Sequence, residues 1–116
     1  MADYRVVFHL DEADKARAQL VLNNIKNLMV DMGRKNVKVE LIANGQGVLA
    51  LLKTPNLHGE DVDRLAGLGV RFLACGNSLE ALHVPEETLL DPVEVVPAGI
   101  SALVKRQAEG WAYIRP

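Results

Sequence analysis

Val70-Arg71-Phe72-Leu73-Ala74-Cys75-Gly76-Asn77-Ser78-Leu79 is the stretch on which the fold turns. Its bulky apolar residues predict a buried strand from Val70 to Ala74, with Cys75 where that strand ends. Asn77 or Ser78 is the expected cap of a short helix reaching about His83. A strand passing directly into a helix is half of a βαβ unit. The segments on either side repeat the pattern.

Upstream, Val37 to Ala43 reads as a strand, Asn44-Gly45-Gln46-Gly47 as a tight loop, and Val48 to Lys53 as a short helix that ends before Pro55. Asn56 to Gly59 is a loop, and Glu60 to Leu68 a helix closed by Gly69. Further back, Tyr4 to Leu10 is a buried strand. Asp11 is the expected N-cap of a helix from about Glu12 to Met32, in which Val21, Ile25, Leu28, Met29 and Met32 recur at helical spacing before Gly33 stops it. Downstream, Pro85 to Pro92 is rich in turn residues, and Val93 to Val96 is a strand. Ile100, Leu103, Val104 and Ala108 set a helix from about Gly99 to Glu109, and Trp111 to Arg115 is a last strand. Strands alternating with helices predict a three-layer α/β/α fold around a mainly parallel five-stranded sheet. With 116 residues and no repeat or linker, residues 1–116 are expected to form a single domain.

Composition narrows the function. The net charge is −2, from 13 basic and 15 acidic residues, with no face-wide basic run. Four aromatic residues besides Trp111 leave little for stacking on bases. Nucleic acid is therefore not an expected partner. No apolar run approaches the ~20 residues that span a bilayer. Met1-Ala2-Asp3-Tyr4-Arg5 leads straight into a strand, so no signal peptide is visible and a cytoplasmic location is expected. Counting glycine and leaving out tyrosine, the apolar share is about 55%, above the usual 45–50% or so. That excess predicts apolar surface buried between subunits.

Open α/β sheets bind ligands beyond the carboxyl ends of their strands. Those ends carry His9, then Asn44, Gly45 and Gly47, then Cys75, Gly76, Asn77 and Ser78, then Pro97, Ala98 and Gly99. Cys75 is the sole cysteine, so a disulfide or two-thiol motif within the chain is excluded. At a strand end just ahead of a helix, amides and the helix dipole favour its thiolate, the nucleophilic form. The bland alternative is a small apolar residue filling the strand end. His9 would serve Cys75 as a proton shuttle or ion-pair partner if the first and third strands are neighbours. Otherwise it fills a strand end, and His58 and His83 read as loop or helix-surface residues. No Cys-x-x-Cys or His-x-x-x-His spacing supports zinc, so no metal is expected. Gly45-Gln46-Gly47-Val48-Leu49-Ala50 matches a degenerate G-x-G-x-x-A pattern. It follows the second strand rather than the first, so it reads as a tight turn rather than a nucleotide site, and no cofactor is expected. An anion or persulfide remains able to meet its amides. Lys53, Arg71 and Arg106 read as solvated charges that would also attract an anionic substrate.

Val39-Glu40-Leu41-Ile42-Ala43-Asn44-Gly45, the run from Val70 to Leu79, and Val95-Val96-Pro97-Ala98-Gly99-Ile100 through Gly110-Trp111-Ala112-Tyr113-Ile114 resemble the DsrE/DsrF-like family over essentially the whole chain. The resemblance is closest to its small stand-alone members. It implies a five-stranded parallel sheet between helices, assembly into homotrimers or homohexamers, and a cysteine that carries sulfur as a persulfide. The counterpart of that cysteine is Cys75. A sulfur carrier or sulfurtransferase working between donor and acceptor proteins is the function so implied. The alternative is a non-catalytic oligomeric module that binds a small ligand or a partner and keeps Cys75 for structure.

Overall fold

The structure, a computed structural model, describes residues 2–116. Strands β1 (Tyr4–Leu10), β2 (Val37–Ala43), β3 (Arg71–Cys75), β4 (Val93–Val96) and β5 (Ala112–Ile114) form one sheet in the order β4-β3-β2-β1-β5. Every pairing is parallel. Helices α1 (Lys15–Met32), α2 (Gly59–Gly67), α3 (Gly76–Ala81) and α4 (Gly99–Ala108) connect them.

Connection handedness explains the layers. From β1 the chain steps outward through β2 and β3 to β4, and right-handed crossovers put α1, α2 and α3 on one face. It then returns past β1 to β5, so α4 crosses the opposite face alone. Alternation along each strand feeds both layers. Val6, Phe8, Leu41 and Phe72 pack with Val21 and Ile25 of α1 on the first face. Val7, Ile42 and Leu73 pack with Leu103 of α4 and with Trp111 on the second.

Several local boundaries differ from the sequence reading. Asp14, not Asp11, caps α1, accepting from the Arg17 backbone N–H at 2.9 Å. Asp11 is engaged instead by Arg115 at 3.0 Å. Residues Gly45–Leu51 form a 3-10 segment rather than a helix beginning at Val48. Gly47 lets this segment lie directly on the end of β1, where a Cβ would run into the Leu10 carbonyl. Helix α3 begins earlier than expected: Cys75 itself occupies the N-cap position, and Asn77 and Ser78 lie inside the first turn. Among the described residues, no helix is long and apolar enough to cross a membrane.

Candidate functional site

The connections after β3 and β4 leave neighbouring strands for opposite faces of the sheet. Such a divergence opens a crevice at the strand ends. Cys75, the last residue of β3, pairs with Val96 of β4 at this point. Its side chain points to the α4 face, as Leu73 does two residues earlier. Continuing the β2–β3 register one step past Ala43 and Ala74 sets Asn44 beside Cys75 on that face. Gly99, the first residue of α4, closes over both. A Cβ on Gly99 would stand 3.1 Å from the Cys75 Cβ and 3.2 Å from the Asn44 Cβ.

Two helix starts therefore converge on one sulfur. Cys75 is 5% exposed, and burial, the largest single influence on its thiol, pushes the pKa up. Hydrogen bonds from the Ser78 hydroxyl and from the Gly99, Ser78 and Asn77 amides outweigh burial, and the thiol lies below its ordinary value. Ser78 is itself held, because its Oγ accepts the Gly45 N–H at 2.7 Å. Gly76 fits tightly under β4, where an added Cβ would come within 3.0 Å of the Val96 carbonyl oxygen.

The loop after β2 takes a different part from the one its glycines suggest. The Gly45 amide is spent on Ser78, and the Gly47 amide donates to the Asn44 carbonyl at 3.0 Å. Neither is free to receive an anion. Gly45, at φ +55°, makes the turn that aims its N–H at Ser78.

The structure does not bring His9 to Cys75, because β2 lies between β1 and β3. The imidazole is 8% exposed. Its Nδ1 is 2.6 Å from the Tyr113 hydroxyl and its Nε2 is 2.6 Å from Asn44 Oδ1. Asn44 thus stands between His9 and the Gly99–Cys75 contact. Tyr113, on edge strand β5, has no sequence signal that marks it, since only the sheet order sets β5 beside β1.

Two charged groups read as solvated are built into the α4 face. Glu40 is fully buried, and Arg106 grips both its oxygens at 2.9 and 2.7 Å while Arg71 reaches it at 3.2 Å. Arg106 also stacks over Trp111, 4.6 Å from the ring centroid. Lys53, by contrast, makes an exposed pair with Asp91. A cavity of about 420 Å³ lies beside α4, with Pro97, Ala98 and Ser101 at one end and Arg71, Lys105 and Arg106 at the other. Cys75 does not line it. His58 is buried rather than on the surface, and neither ring nitrogen has a hydrogen-bond partner. Among the described residues, no three His, Cys, Asp or Glu side chains gather as a metal site.

The DsrE/DsrF-like family model matches residues 4–116. A protein of unknown function, MTH1491 from Methanobacterium thermoautotrophicum, superposes with a TM-score of 0.92 at 46% identity, covering 98% of this chain and 100% of that one. The ychN protein of E. coli superposes with a TM-score of 0.81 at 16% identity, covering 97% and 99% of the two chains, and shares the fold. No curated protein matches. With the family model spanning all but the first three residues, and the strand-to-helix turn at Cys75 within that span, this chain belongs to the DsrE/DsrF-like family.

Proposed function

We propose that the chain is a sulfur carrier, consistent with the sulfur-relay role that its family suggests. The Cys75 thiolate attacks the outer sulfur of a donor persulfide, the donor's inner sulfur leaves as a thiolate, and Cys75 holds the transferred atom as a persulfide. An acceptor thiolate then attacks that outer sulfur and releases Cys75. Neither transfer consumes an oxidant or a reductant. The observation that carries this reading is the convergence of the Ser78 hydroxyl and the Gly99, Ser78 and Asn77 amides on Cys75, which favours the anionic sulfur despite burial. Donor and acceptor are proteins that meet the strand ends, where Asn77 and Pro97 are exposed.

Assembly as a homotrimer or homohexamer in the cytoplasm belongs to the same reading. Ile100 and Val104 support it, standing 56% and 60% exposed on α4. A stable monomer in light scattering at micromolar concentration would count against assembly. The carrier itself is tested by incubating the chain with a persulfide donor and weighing it intact. The wild type gains the mass of one sulfur and Cys75→Ser gains none. An equal gain in both, or in neither, removes the proposal.

A second reading is a non-catalytic binding module. The cavity beside α4 favours it, since its lining does not include Cys75 and it is therefore separate from the sulfur. Thiol titration separates the two: a slow Cys75 with a pKa at or above ~8.5 supports the module.

A further inference from the structure

We propose that the cavity beside α4 binds a small organic acid, with its carboxylate on Lys105 and a short aliphatic body over Leu73 and Val96. The inference rests on the cavity of the second reading, names the class of ligand it takes, and does not depend on the chemistry of Cys75.

The fold itself creates the opening. A helix with its side chains is about 10 Å across, whereas strands about 4.8 Å apart make a five-stranded sheet about 20 Å wide. On its face α4 stands alone, and through Leu103 it packs with Val7, Ile42 and Leu73. The β3–β4 side of that face is left without a helix over it. The space there is about 420 Å³, a size that suits a small ligand. Leu73 of β3 and Val96 of β4 line it from the sheet, and Ala102 lines it from the helix. Ile100 and Val104 lie about 200° around α4 from Ala102 and Arg106, so the cavity is on the other flank from that exposed apolar pair.

The two ends of the cavity differ in kind. At one end Pro97 and Ala98 offer apolar surface beside the Ser101 hydroxyl; the other end is rich in donors. Arg71 gives two hydrogen bonds to Glu94 and one to Glu40, and Arg106 gives two to Glu40 and one to Glu109. Each guanidinium has N–H groups beyond these, and the Lys105 ammonium is a donor only. Glu109 is the sole carboxylate in the lining, and Arg106 already holds its Oε1 at 2.9 Å. A surplus of donors selects a ligand head that accepts. Charge narrows the class further. Arg71 and Arg106 have their charges answered by Glu40, Glu94 and Glu109, whereas Lys105 enters no ion pair among the described residues. One unanswered cation beside apolar Leu73 and Val96 matches a monocarboxylate with an aliphatic body. A phosphate dianion would find a single free cation, and an alcohol would leave the ammonium unmatched.

The test is an amide NMR titration of the full chain with isovalerate, which has both body and carboxylate, against isoamyl alcohol and acetate, which each have one. Isovalerate gives saturable shifts at Ala98, Ser101, Ala102 and Lys105 in the millimolar range, and the other two probes bind more weakly. Lys105→Met, at an exposed position, weakens isovalerate by about tenfold, the effect of one charge-assisted hydrogen bond. Lys105→Arg keeps the binding. Ala102→Leu fills the cavity from the helix side and abolishes it without altering a charge; if that variant fails to fold, Lys105→Met decides. The site is overturned by isovalerate shifts that do not saturate or that fall elsewhere, by isoamyl alcohol binding equally well, or by Lys105→Met binding as the wild type does. Persulfide loading is weighed on the same wild-type samples. Loading without isovalerate binding sinks the cavity site alone. Binding without loading sinks the carrier and leaves the cavity site standing.

Discussion

The Ser78 hydroxyl lies 2.7 Å from the backbone nitrogen of Gly45, so the turn after β2 holds in place the group that faces the sulfur at the end of β3. With its lone pair taken by Gly45, Ser78 has its own hydrogen to give to Cys75. Ser78→Ala removes this donor while burial still opposes the thiolate. Alkylation of Cys75 at neutral pH should slow by about ten- to a hundredfold, the effect of one hydrogen bond to a charged group. A rate equal to the wild type would assign the low thiol pKa to the amides alone.

The same pKa direction makes a stability prediction. The folded thiol ionises at lower pH than the unfolded one. Its contribution is therefore present above the unfolded chain's value and is lost as pH falls through the folded value. Urea midpoints should rise with pH across the thiol titration in the wild type, and that rise should be absent from Cys75→Ser.

His58 predicts the opposite limb. Burial is the main influence lowering its pKa, with Lys15 adding to it and Asp61 opposing. Below about pH 6.5 the unfolded chain takes up a proton that the folded chain refuses, so stability falls on acidification until the folded imidazole also titrates. His58→Leu should flatten this acid limb. It should also be neutral or stabilising by about 1 kcal/mol at pH 7, because two unpartnered buried nitrogens are removed. Chemical denaturation at several pH values checks both parts.

Gly47 and Gly67 form a matched pair. A Cβ at Gly47 meets the backbone of Leu10, whereas a Cβ at Gly67 meets nothing within 4 Å. Gly47→Ala should cost about 3 kcal/mol, since backbone cannot step aside as a side chain does. Gly67→Ala, in the last turn of α2, should stabilise by about 0.5 kcal/mol through helix propensity. Thermal melts of the two variants should move in opposite directions.

The legible part of this molecule was its periodicity. Runs such as Val37 to Ala43 and Val93 to Val96 carry their strand signal locally, and the alternation of strands with helices forces a parallel sheet. The place of Cys75 was legible because a strand end and a helix start meet there in the chain. The Asn44–His9–Tyr113 row was not, because Tyr113 reaches His9 only once the sheet order sets β5 against β1. Glu40 was hidden for a related reason: its partners stand 31 and 66 residues away, and each looks like a surface arginine on its own element. The N-cap of α1 went to Asp14 over Asp11 through competition, since Arg115 arrives from the far end of the chain to claim Asp11.

The Glu40 network yields the sharpest energetic prediction. Arg106 meets both carboxylate oxygens, while Arg71 meets one at 3.2 Å and is shared with exposed Glu94. Arg106→Met keeps the aliphatic stem over Trp111 but strands a fully buried carboxylate on a single, partly solvated partner. Breaking a buried pair from one side costs about 3–5 kcal/mol. Arg71→Met should cost about 1 kcal/mol, because its stronger contacts are exposed. The double variant Glu40→Met/Arg106→Met should recover most of the loss, since well-packed apolar residues replace buried ion pairs at little net cost. The network anchors the C-terminal half of α4, whereas Gly99 meets Cys75 at its first residue. In the double variant the Cys75 titration should therefore match the wild type even though the charges are gone. If instead the thiol titration shifted with stability restored, the Glu40 charges would be acting on the sulfur through the field rather than holding the helix in place.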